Sequence, residues 1–264
     1  MTGGPIINYQ EILGKIEKLM KEASKIFFDL DPQNNFEMKG RNDFVTEVDF
    51  KVQEVLEEEL LKLIEGSNLL AEEKGKSSAD IKDYTWVLDP VDGTSNLVHG
   101  FQHSVISLAL MEKSDFVIGA VYDPYRDEFF SAIRGQGSKL NGKEIKVSSN
   151  EEFANSLIGA GTGGGRLGRV DETFEMMRYI YENTNGIRRI GSAALEMCYS
   201  ACGRYDAFIE DDLNLWDYAA GTLIVREAGG QVINMHGEDV ASERRGGIIS
   251  GSKKIVDELR RFTY

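Results

Sequence analysis

The order of the apolar segments is the feature that most restricts how this chain can fold. Apolar residues recur at three- and four-residue steps over Tyr9–Leu30, which predicts one long amphipathic helix, and a second such pattern begins near Val48. Short segments bounded by turn residues, several of them rich in Val and Ile, then predict strands. These segments are Asn68–Ala71, Tyr84–Leu88, Ser104–Met111, Phe116–Tyr122 and Glu128–Ile133. Asn141-Gly142 predicts a hairpin, after which predicted strands and helices alternate.

Elements that first cluster and then alternate predict an α+β half followed by an α/β half. The division falls near Ser148–Glu152. We therefore expect an N-terminal α+β lobe over residues 1–149 and a C-terminal α/β lobe over residues 150–264. Because the candidate linker is short, the two lobes are expected to share a packed interface.

The negative charge of the chain restricts its partners. Its 264 residues carry a formal net charge of -14, so non-specific binding to nucleic acid or to anionic membranes is not expected. A small phosphorylated substrate would also be repelled unless cations are bound where it lies. The N-terminus lacks the features of a secretory signal, and no apolar run approaches the ~18 residues of a membrane-spanning helix, so we expect a cytoplasmic protein.

The stretch W-V-L-D-P-V-D-G-T-S-N-L-V-H-G places Asp89 and Asp92 directly behind an apolar run. Pro90 restricts the backbone here, and the bend that it introduces lets two carboxylates three positions apart converge. Two carboxylates held close together either share a proton or bind a cation. The residues after Gly93 begin a predicted helix, whose backbone N–H groups can bind an anion. The stretch therefore predicts a combined phosphate and metal site.

Each acidic motif also has a purely structural interpretation, and the spacing alone leaves both open. These structural interpretations are a turn with a helix N-cap at Asp92-Gly93-Thr94, a capping box over Thr46–Asp49, a helix-dipole or cap residue at Asp217, and solvated surface at Glu72-Glu73.

Taken together and in order, the motifs resemble the inositol monophosphatase family. The matching segments are K-G-R-N-D-F-V-T-E-V-D, L-A-E-E-K, W-V-L-D-P-V-D-G-T-S-N-L-V-H-G, R-R-I-G-S-A-A and L-W-D-Y-A-A-G-T-L-I-V-R-E-A-G-G. The D-P-x-D-G-T and W-D-x-A-A-G segments are highly specific, and the resemblance extends from about Lys39 to the end of the chain. It implies the layered α-β-α-β-α sandwich of the sugar phosphatase fold, with two packed lobes, and a magnesium-dependent phosphomonoesterase that is usually a homodimer.

The resemblance also implies two or three Mg²⁺ ions and their ligands. Glu72, Asp89 and the backbone carbonyl of Val91 match the ligands of a first ion. Asp89, Asp92 and Asp217 match those of a second, and Glu72 would also contact a third, weaker ion. Carboxylate and carbonyl oxygens are the ligands that Mg²⁺ prefers. Most of these ligands would lie in the N-terminal lobe.

Catalytic and substrate-binding residues are implied in the same way. Thr94, supported by Asp49, matches the pair that positions and activates the attacking water, and Glu72 joins them as a catalytic residue. The matches to substrate-binding positions are Asp92, Gly93, Thr94, Gly191, Ser192, Ala193, Glu210 and Asp217. Of these, Gly93 and Thr94 would cradle the phosphate.

Lys39 and Arg166 are two further candidates for contact with substrate. Lys39 lies in a predicted polar loop that matches the family's mobile loop beside the metals, although loop lysines are usually just exposed. Arg166 ends G-A-G-T-G-G-G-R, which is not a P-loop because no G-K-[ST] follows. Arg166 could recognise a second phosphate or carboxylate, but a plain, flexible surface loop is the preferred interpretation. Cys198 and Cys202 are interpreted as small buried thiols.

The sequence therefore predicts magnesium-dependent hydrolysis of a small phosphomonoester by a metal-activated water, with inositol 1-phosphate as the first candidate. One alternative is a fructose-1,6-bisphosphatase or another small-molecule phosphatase of the same family. A second alternative, from another class, is an RNA-processing or transcription accessory protein that acts through a protein partner. The expected partners are a small phosphorylated metabolite and a second copy of the chain.

Overall fold

The computed structural model describes residues 7–40, 43–73, 75, 79–163, 169–240 and 242–264. The helices of its N-terminal part are α1 (Tyr9–Ala23), α2 (Ile26–Asp29) and α3 (Glu47–Leu63). Helices α1 and α3 contribute buried side chains such as Ile16 and Leu56 to one shared core. Their apolar residues recur at helical spacing, so each helix has one face that must be covered.

The prediction of a single helix over Tyr9–Leu30 is wrong, because α1 ends before Ser24. The hydroxyl of Ser24 donates a hydrogen bond to the carbonyl of Lys21 (2.9 Å). The backbone N–H of Lys25 bonds to the carbonyl of Glu22 (3.2 Å), three residues back instead of four. Hydroxyl side chains that bond to the backbone compete with the regular helix pattern. The chain therefore bends here and resumes as the short α2.

A two-stranded antiparallel hairpin of β1 (Phe36–Gly40) and β2 (Asp43–Thr46) lies between α2 and α3. The sequence predicts only a polar loop in this region, because Lys39 and its polar neighbours hide the alternation of a strand. The rings of Phe36 and Phe44 pack edge to face with centroids 5.3 Å apart. Such cross-strand aromatic pairs stabilise strand pairing.

Strands β3 to β9 form the larger sheet. Their bounds are β3 (Asn68–Ala71), β4 (Tyr84–Asp92), β5 (Val105–Glu112), β6 (Asp115–Asp123), β7 (Glu128–Ile133), β8 (Ser138–Leu140) and β9 (Lys143–Ile145). They lie side by side in chain order, with β3 parallel to β4 and each later pair antiparallel. The hairpin predicted at Asn141-Gly142 is confirmed, since both residues have the positive φ (47° and 77°) that a tight two-residue turn needs.

The rest of the chain forms the smaller sheet and most of the remaining helices. In chain order these elements are α4 (Thr94–Val98), which follows β4, and then β10 (Leu157–Ala160), α5 (Val170–Asn183), β11 (Gly186–Arg188), α6 (Ala193–Ala201), β12 (Ala207–Asn214), α7 (Leu215–Glu227), β13 (Gln231–Asn234), β14 (Arg245–Gly251) and α8 (Lys253–Leu259). The strand order is β11-β10-β12-β14-β13, in which β10 is parallel to β11 and β12 and β14 is antiparallel to both neighbours.

The buried side chains show that these elements form five layers. One core lies between the α1–α3 layer and the larger sheet, which contributes Trp86 and Leu88. A second core lies on the opposite face of that sheet, where Val87 packs with α6, α7 and the smaller sheet. A third core joins the smaller sheet to α5 and α8. This arrangement confirms the predicted α-β-α-β-α sandwich. None of the helices described combines the length and apolar character needed to cross a membrane.

Small residues allow α7 to lie between the two sheets. A Cβ atom on Gly119 of β6 would stand 2.6 Å from the carbonyl oxygen of Ala220 in α7. A Cβ atom on Gly221 would stand 2.6 Å from the sulfur of Met197 in α6. Packed interiors have no room for such additions. The small residues that follow Asp217 thus fix how closely α7, and with it this carboxylate, approaches the larger sheet.

Candidate active site

An irregularity at the end of β4 brings Asp89 and Asp92 to the same side of the larger sheet. Asp89 pairs with Ser107 and Asp92 with Val105, so three steps along β4 match two steps along β5. Residues three apart on a regular strand point in opposite directions, and one extra residue cancels this difference. The extra residue lies in Pro90-Val91, where the sequence predicts a bend. Both aspartates are buried, with 2% and 8% of their surface exposed.

Glu72, Asp89, Asp92 and Asp217 form an acidic cluster. Burial raises the pKa of Asp89 well above its usual range, and the charges of the other three carboxylates raise it further. Burial, followed by the charges of Asp92 and Glu72, likewise raises the pKa of Asp217. Like charges have this effect only at short range. Among the described residues, no three acidic, histidine or cysteine side chains have the geometry of ligands around one ion.

Asp92 connects the acidic cluster to the start of α6. Its Oδ2 atom accepts hydrogen bonds from the hydroxyl of Ser192 (2.7 Å) and from the backbone N–H of Ala194 (2.7 Å). Burial raises the pKa of Asp92 to about 6, and these hydrogen bonds oppose the increase. Ser192 and Ala193, for which the resemblance implies contacts with substrate, therefore lie directly beside a predicted metal ligand.

Asp49 and Thr94 are in direct contact. The hydroxyl of Thr94 lies 3.0 Å from Oδ1 of Asp49 and 3.0 Å from the carbonyl oxygen of Val91. The other carboxylate oxygen of Asp49 accepts bonds from the backbone N–H (2.8 Å) and hydroxyl (2.6 Å) of Thr46. The capping-box interpretation of Asp49 is therefore correct, and it leaves one oxygen for Thr94. Burial raises the pKa of Asp49 to about 6, against the effect of these hydrogen bonds.

Gly93, rather than Thr94, is the N-cap of α4. Its φ of 91° lies in the left-handed region that favours glycine. A Cβ atom there would also stand 2.9 Å from the carbonyl oxygen of His103 and 3.2 Å from that of Gly191. Glycine is thus required both by its backbone conformation and by close approach. Because Thr94 does not cap the helix, its hydroxyl is left for Asp49.

The segment after β3 is fixed by a contact that the sequence analysis missed. Gln53 of α3 donates from its side-chain amide to the carbonyl of Glu73 (3.0 Å), and its amide oxygen accepts from the Glu73 N–H (3.0 Å). Glu73 is buried and Glu72 half-buried, so the interpretation of both as solvated surface is wrong. Gln53 resembles any helix glutamine in the sequence, which offers no signal for this role.

Glu210 on β12 contacts Gly161 and Gly163 in the segment that follows β10. The N–H of Gly163 donates to Glu210 (3.0 Å), and a Cβ atom on Gly161 would stand 2.0 Å from its carboxyl carbon. These two glycines are therefore buried against Glu210, whereas the plain-loop interpretation of the whole segment of residues 159–166 stays a prediction. Burial raises the pKa of Glu210 to about 7, whereas the charge of Arg189 lowers it. Arg189, which also donates to the Thr162 hydroxyl (3.0 Å), is a second residue that the sequence analysis missed.

Lys39 falls in strand β1 and not in a loop, while its side chain and the whole of Arg166 lie outside the described residues. Asp217 occupies the first turn of α7, where Oδ2 accepts the backbone N–H of Asn214 (2.7 Å) in a second capping box. Cys198 is a buried free thiol and Cys202 a half-buried one.

The protein is a five-layer sandwich of the sugar phosphatase type. Its acidic cluster lies beside a hydroxyl–carboxylate pair and the start of a short helix. Comparison with known proteins narrows this class. The profile of the inositol monophosphatase family matches residues 6–261. The chain belongs to the inositol monophosphatase family.

Individual relatives agree with this assignment. Inositol-1-monophosphatase of Rhizobium meliloti is 34% identical over 247 residues, which cover 93% of this chain and 92% of the relative. Nus factor SuhB of Pasteurella multocida is 36% identical over 222 residues, or 84% of this chain and 83% of the relative. The structure of an IMPase from Thermotoga maritima matches with a TM-score of 0.87 at 32% identity, covering 96% of each chain. Membership of the family supports a magnesium-dependent phosphatase.

Proposed function

We propose that this protein hydrolyses a small phosphomonoester with the help of Mg²⁺, and that inositol 1-phosphate is its first candidate substrate. The observation that carries the proposal is the acidic cluster, in which buried carboxylates raise one another's pKa beside the Thr94–Asp49 pair. Such a cluster is unfavourable as free anions, and divalent cations would relieve the repulsion.

The donor set fits magnesium. Carboxylate and carbonyl oxygens suit this ion, which also needs a few waters and substrate oxygens to complete its coordination. The side chains of Glu72, Asp89, Asp92 and Asp217 and the carbonyl of Val91 would hold the ions. When bound, magnesium neutralises phosphate charge and makes a water molecule more acidic. The same positive charge would admit a phosphate to a protein whose net charge is -14.

Thr94 and Asp49 would accept the proton of the attacking water. The hydroxyl of Thr94 donates toward Asp49, so its lone pairs are left to accept a hydrogen bond from water. A proton could then pass from water to Thr94 while the Thr94 proton passes to Asp49. With a pKa of about 6, Asp49 is mostly ionised near neutral pH and close to the range in which a general base works well.

The start of α4 would bind the phosphate, and the start of α6 the alcohol. N–H groups in the first turn of a helix have no partner within the helix, so they are available to an anion. Ser192 and Ala193 lie beside Asp92, and Glu210 is close enough to Asp92 and Arg189 for their charges to change its pKa. A polar wall of this kind suits a substrate rich in hydroxyl groups.

Phosphate release from a panel of compounds tests the proposal. The panel contains inositol 1-phosphate, fructose 1,6-bisphosphate, 3'-phosphoadenosine 5'-phosphate, histidinol phosphate and NADP, each with Mg²⁺ and with a chelator. We expect chelator-sensitive release, greatest for inositol 1-phosphate. Greater release from fructose 1,6-bisphosphate or another compound would keep the reaction but change the substrate.

Asp89→Asn tests the acidic cluster directly. It keeps the shape of the side chain and removes one charged ligand, so we expect magnesium-dependent turnover to fall by roughly a hundredfold or more while the protein remains folded. Asp83→Asn is the matched control, because it makes the same change at an exposed position directly before the same strand begins. Retained activity in Asp89→Asn would sink the assignment of the metal ligands.

An accessory role is the second candidate function. It is favoured by the relatives named Nus factor SuhB, which are 36% identical in Pasteurella multocida and 39% identical over 225 residues in Pseudomonas aeruginosa. In this case the protein would act through a protein partner. Complementation of a deletion strain by Asp89→Asn would support this candidate, whereas failure of a folded Asp89→Asn protein to complement would favour the phosphatase.

A further inference from the structure

Asn96 of α4 holds three carbonyl groups from two distant parts of the chain. Its side-chain amide donates to the carbonyl oxygens of His103 (2.9 Å), Ile190 (2.8 Å) and Gly191 (3.3 Å). Two N–H bonds are thus shared among three acceptors. Three carbonyl groups around one atom also fix the orientation of the amide, because an oxygen in that place would face only acceptors.

The segment from Ile190 to Ala194, which we call the α6 entry segment, is held from its other side as well. The N–H of Ile190 donates to the carboxyl of Glu196 in α6 (3.3 Å). Further along, Ser192 and Ala194 donate to Asp92. The entry segment is therefore fixed at its first residues by Asn96 and Glu196 and at its last residues by Asp92.

Close backbone contacts between the α6 entry segment and the start of α4 leave the segment little room to move. A Cβ atom on Gly93 would stand 3.2 Å from the carbonyl oxygen of Gly191, and one on Gly191 would stand 3.5 Å from Oδ1 of Asn96. Gly191 also has a φ of 77°. The backbone of the entry segment thus lies directly against the beginning of α4, and the Asn96 amide fills the remaining contact.

We propose that Asn96 is a positioning residue that sets the distance between the phosphate-binding start of α4 and the alcohol-binding entry segment. Asn96 does not contact the reacting atoms. It acts through Ile190 and Gly191, and so determines how well the enzyme accommodates the alcohol portion of the substrate. This inference rests on the proposed phosphatase function, because it uses the same site.

The inference predicts a specific kinetic pattern for Asn96→Ala. Loss of the amide frees the entry segment, so we expect the KM for inositol 1-phosphate to rise roughly tenfold while kcat changes by less than about threefold. With 4-nitrophenyl phosphate, which has no polyol, both constants should stay within about twofold of wild type. A merely destabilising change would lower the active fraction, and with it kcat, for both substrates.

Asn96→Asp is the sharper variant. It has nearly the same shape but directs an oxygen in place of N–H donors at three carbonyl oxygens, so we expect the KM for inositol 1-phosphate to rise at least as much as in Asn96→Ala. If Asn96→Ala does not fold, Asn96→Ser, which retains one donor, is compared in the same way and should show a smaller rise. Asn150→Ala is the control, since it removes an amide that bridges Glu152 and Ser156 outside this site.

The outcomes separate the inference from the function on which it rests. If the wild type releases no phosphate from 4-nitrophenyl phosphate or from any compound of the panel, the proposed function fails and the inference falls with it. If the wild type is active and Asn96→Ala and Asn96→Asp leave the KM for inositol 1-phosphate unchanged, only the inference is overturned. Equal increases in KM for both substrates would also overturn it, because the alcohol portion would then play no part.

Discussion

At the scale of single residues, the acidic side chains of the site serve the fold and the proposed chemistry with different oxygens. Asp49 caps α3 with one oxygen and accepts the Thr94 hydroxyl with the other. Asp92 and Asp217 each use Oδ2 for the start of a helix. The capping and functional interpretations of Asp49 and Asp217 are therefore compatible, and a capping motif in a sequence does not argue against a site.

Thr94→Val tests the role of the hydroxyl. The change keeps the branched shape but removes the donor to Asp49, so we expect kcat to fall by about 10²-fold or more with little change in KM. Thr94→Ser retains the hydroxyl and is expected to keep most of the activity. Equal kcat values for Thr94→Val and wild type under saturating Mg²⁺ would contradict the proposed proton path.

The sequence could indicate some of these residues and not others. The D-P-V-D-G spacing indicated that Asp89 and Asp92 converge, because Pro90 introduces a bend between them, although the spacing alone left a simple turn equally open. Gln53 and Asn96 could not be found in this way. Their partners lie 20 and 94 residues away, and neither residue type departs from what an ordinary helix surface carries.

At the scale of elements, α7 is tightly constrained, because it packs together with α6 between both sheets. Its contact with β6 depends on Gly119, which a strand would not normally favour. Local patterns predicted α7 and β6 as elements but could not show that they touch. Local patterns also failed at the end of α1 near Ser24 and at the hairpin of β1 and β2. Side-chain contacts determine the structure at both places.

A pair of glycine substitutions tests this packing. Gly119→Ala would place a Cβ atom 2.6 Å from the Ala220 carbonyl, so we expect the free energy of unfolding to fall by about 1–3 kcal/mol. Gly14→Ala is the matched control, because nothing lies within 4 Å of a Cβ atom there. In the middle of α1 it should stabilise the protein by about 0.5–1 kcal/mol. Urea unfolding measures the free energy of unfolding of both variants. If Gly119→Ala proved as stable as Gly14→Ala, the packing argument would be refuted.

At the scale of the whole molecule, the fold concentrates buried acids where its layers meet. Burial raises the pKa of Glu196 to about 8, with the charge of Glu210 adding to the effect, and raises that of Glu210 to about 7. The sequence predicted the sandwich correctly through its family motifs. The sequence could not predict the raised pKa of Glu196, because this residue resembles an ordinary exposed helix glutamate until its packing is known.

The raised pKa values imply that the protein without divalent cations loses stability as pH rises. The folded state keeps protons that the unfolded chain has released, so this contribution is present below about pH 4.5 and is lost as pH rises through about 6 to 8. We expect the free energy of unfolding to fall by about 1 kcal/mol or more between about pH 5 and about pH 8, and Mg²⁺ to restore stability mainly at the higher pH.

Thermal melting with a chelator and with Mg²⁺ measures this dependence. Glu196→Gln is the informative variant, because its amide oxygen still accepts the Ile190 N–H while the side chain can no longer ionise. We expect it to reduce the fall in melting temperature at high pH. A melting temperature that rises steadily from about pH 5 to about pH 8 with the chelator would contradict the sign of the effect.

The central position of α6 and α7 also bears on how the chain is made on the ribosome. The strands of the larger sheet are complete at Ile145, but the helices that cover its inner face end only at Glu227. At about 5–20 residues per second, the ribosome leaves that apolar face without its cover for several seconds. During this interval the exposed apolar face makes the nascent chain prone to aggregation. The rate of translation after Ile145 therefore affects the yield of folded protein.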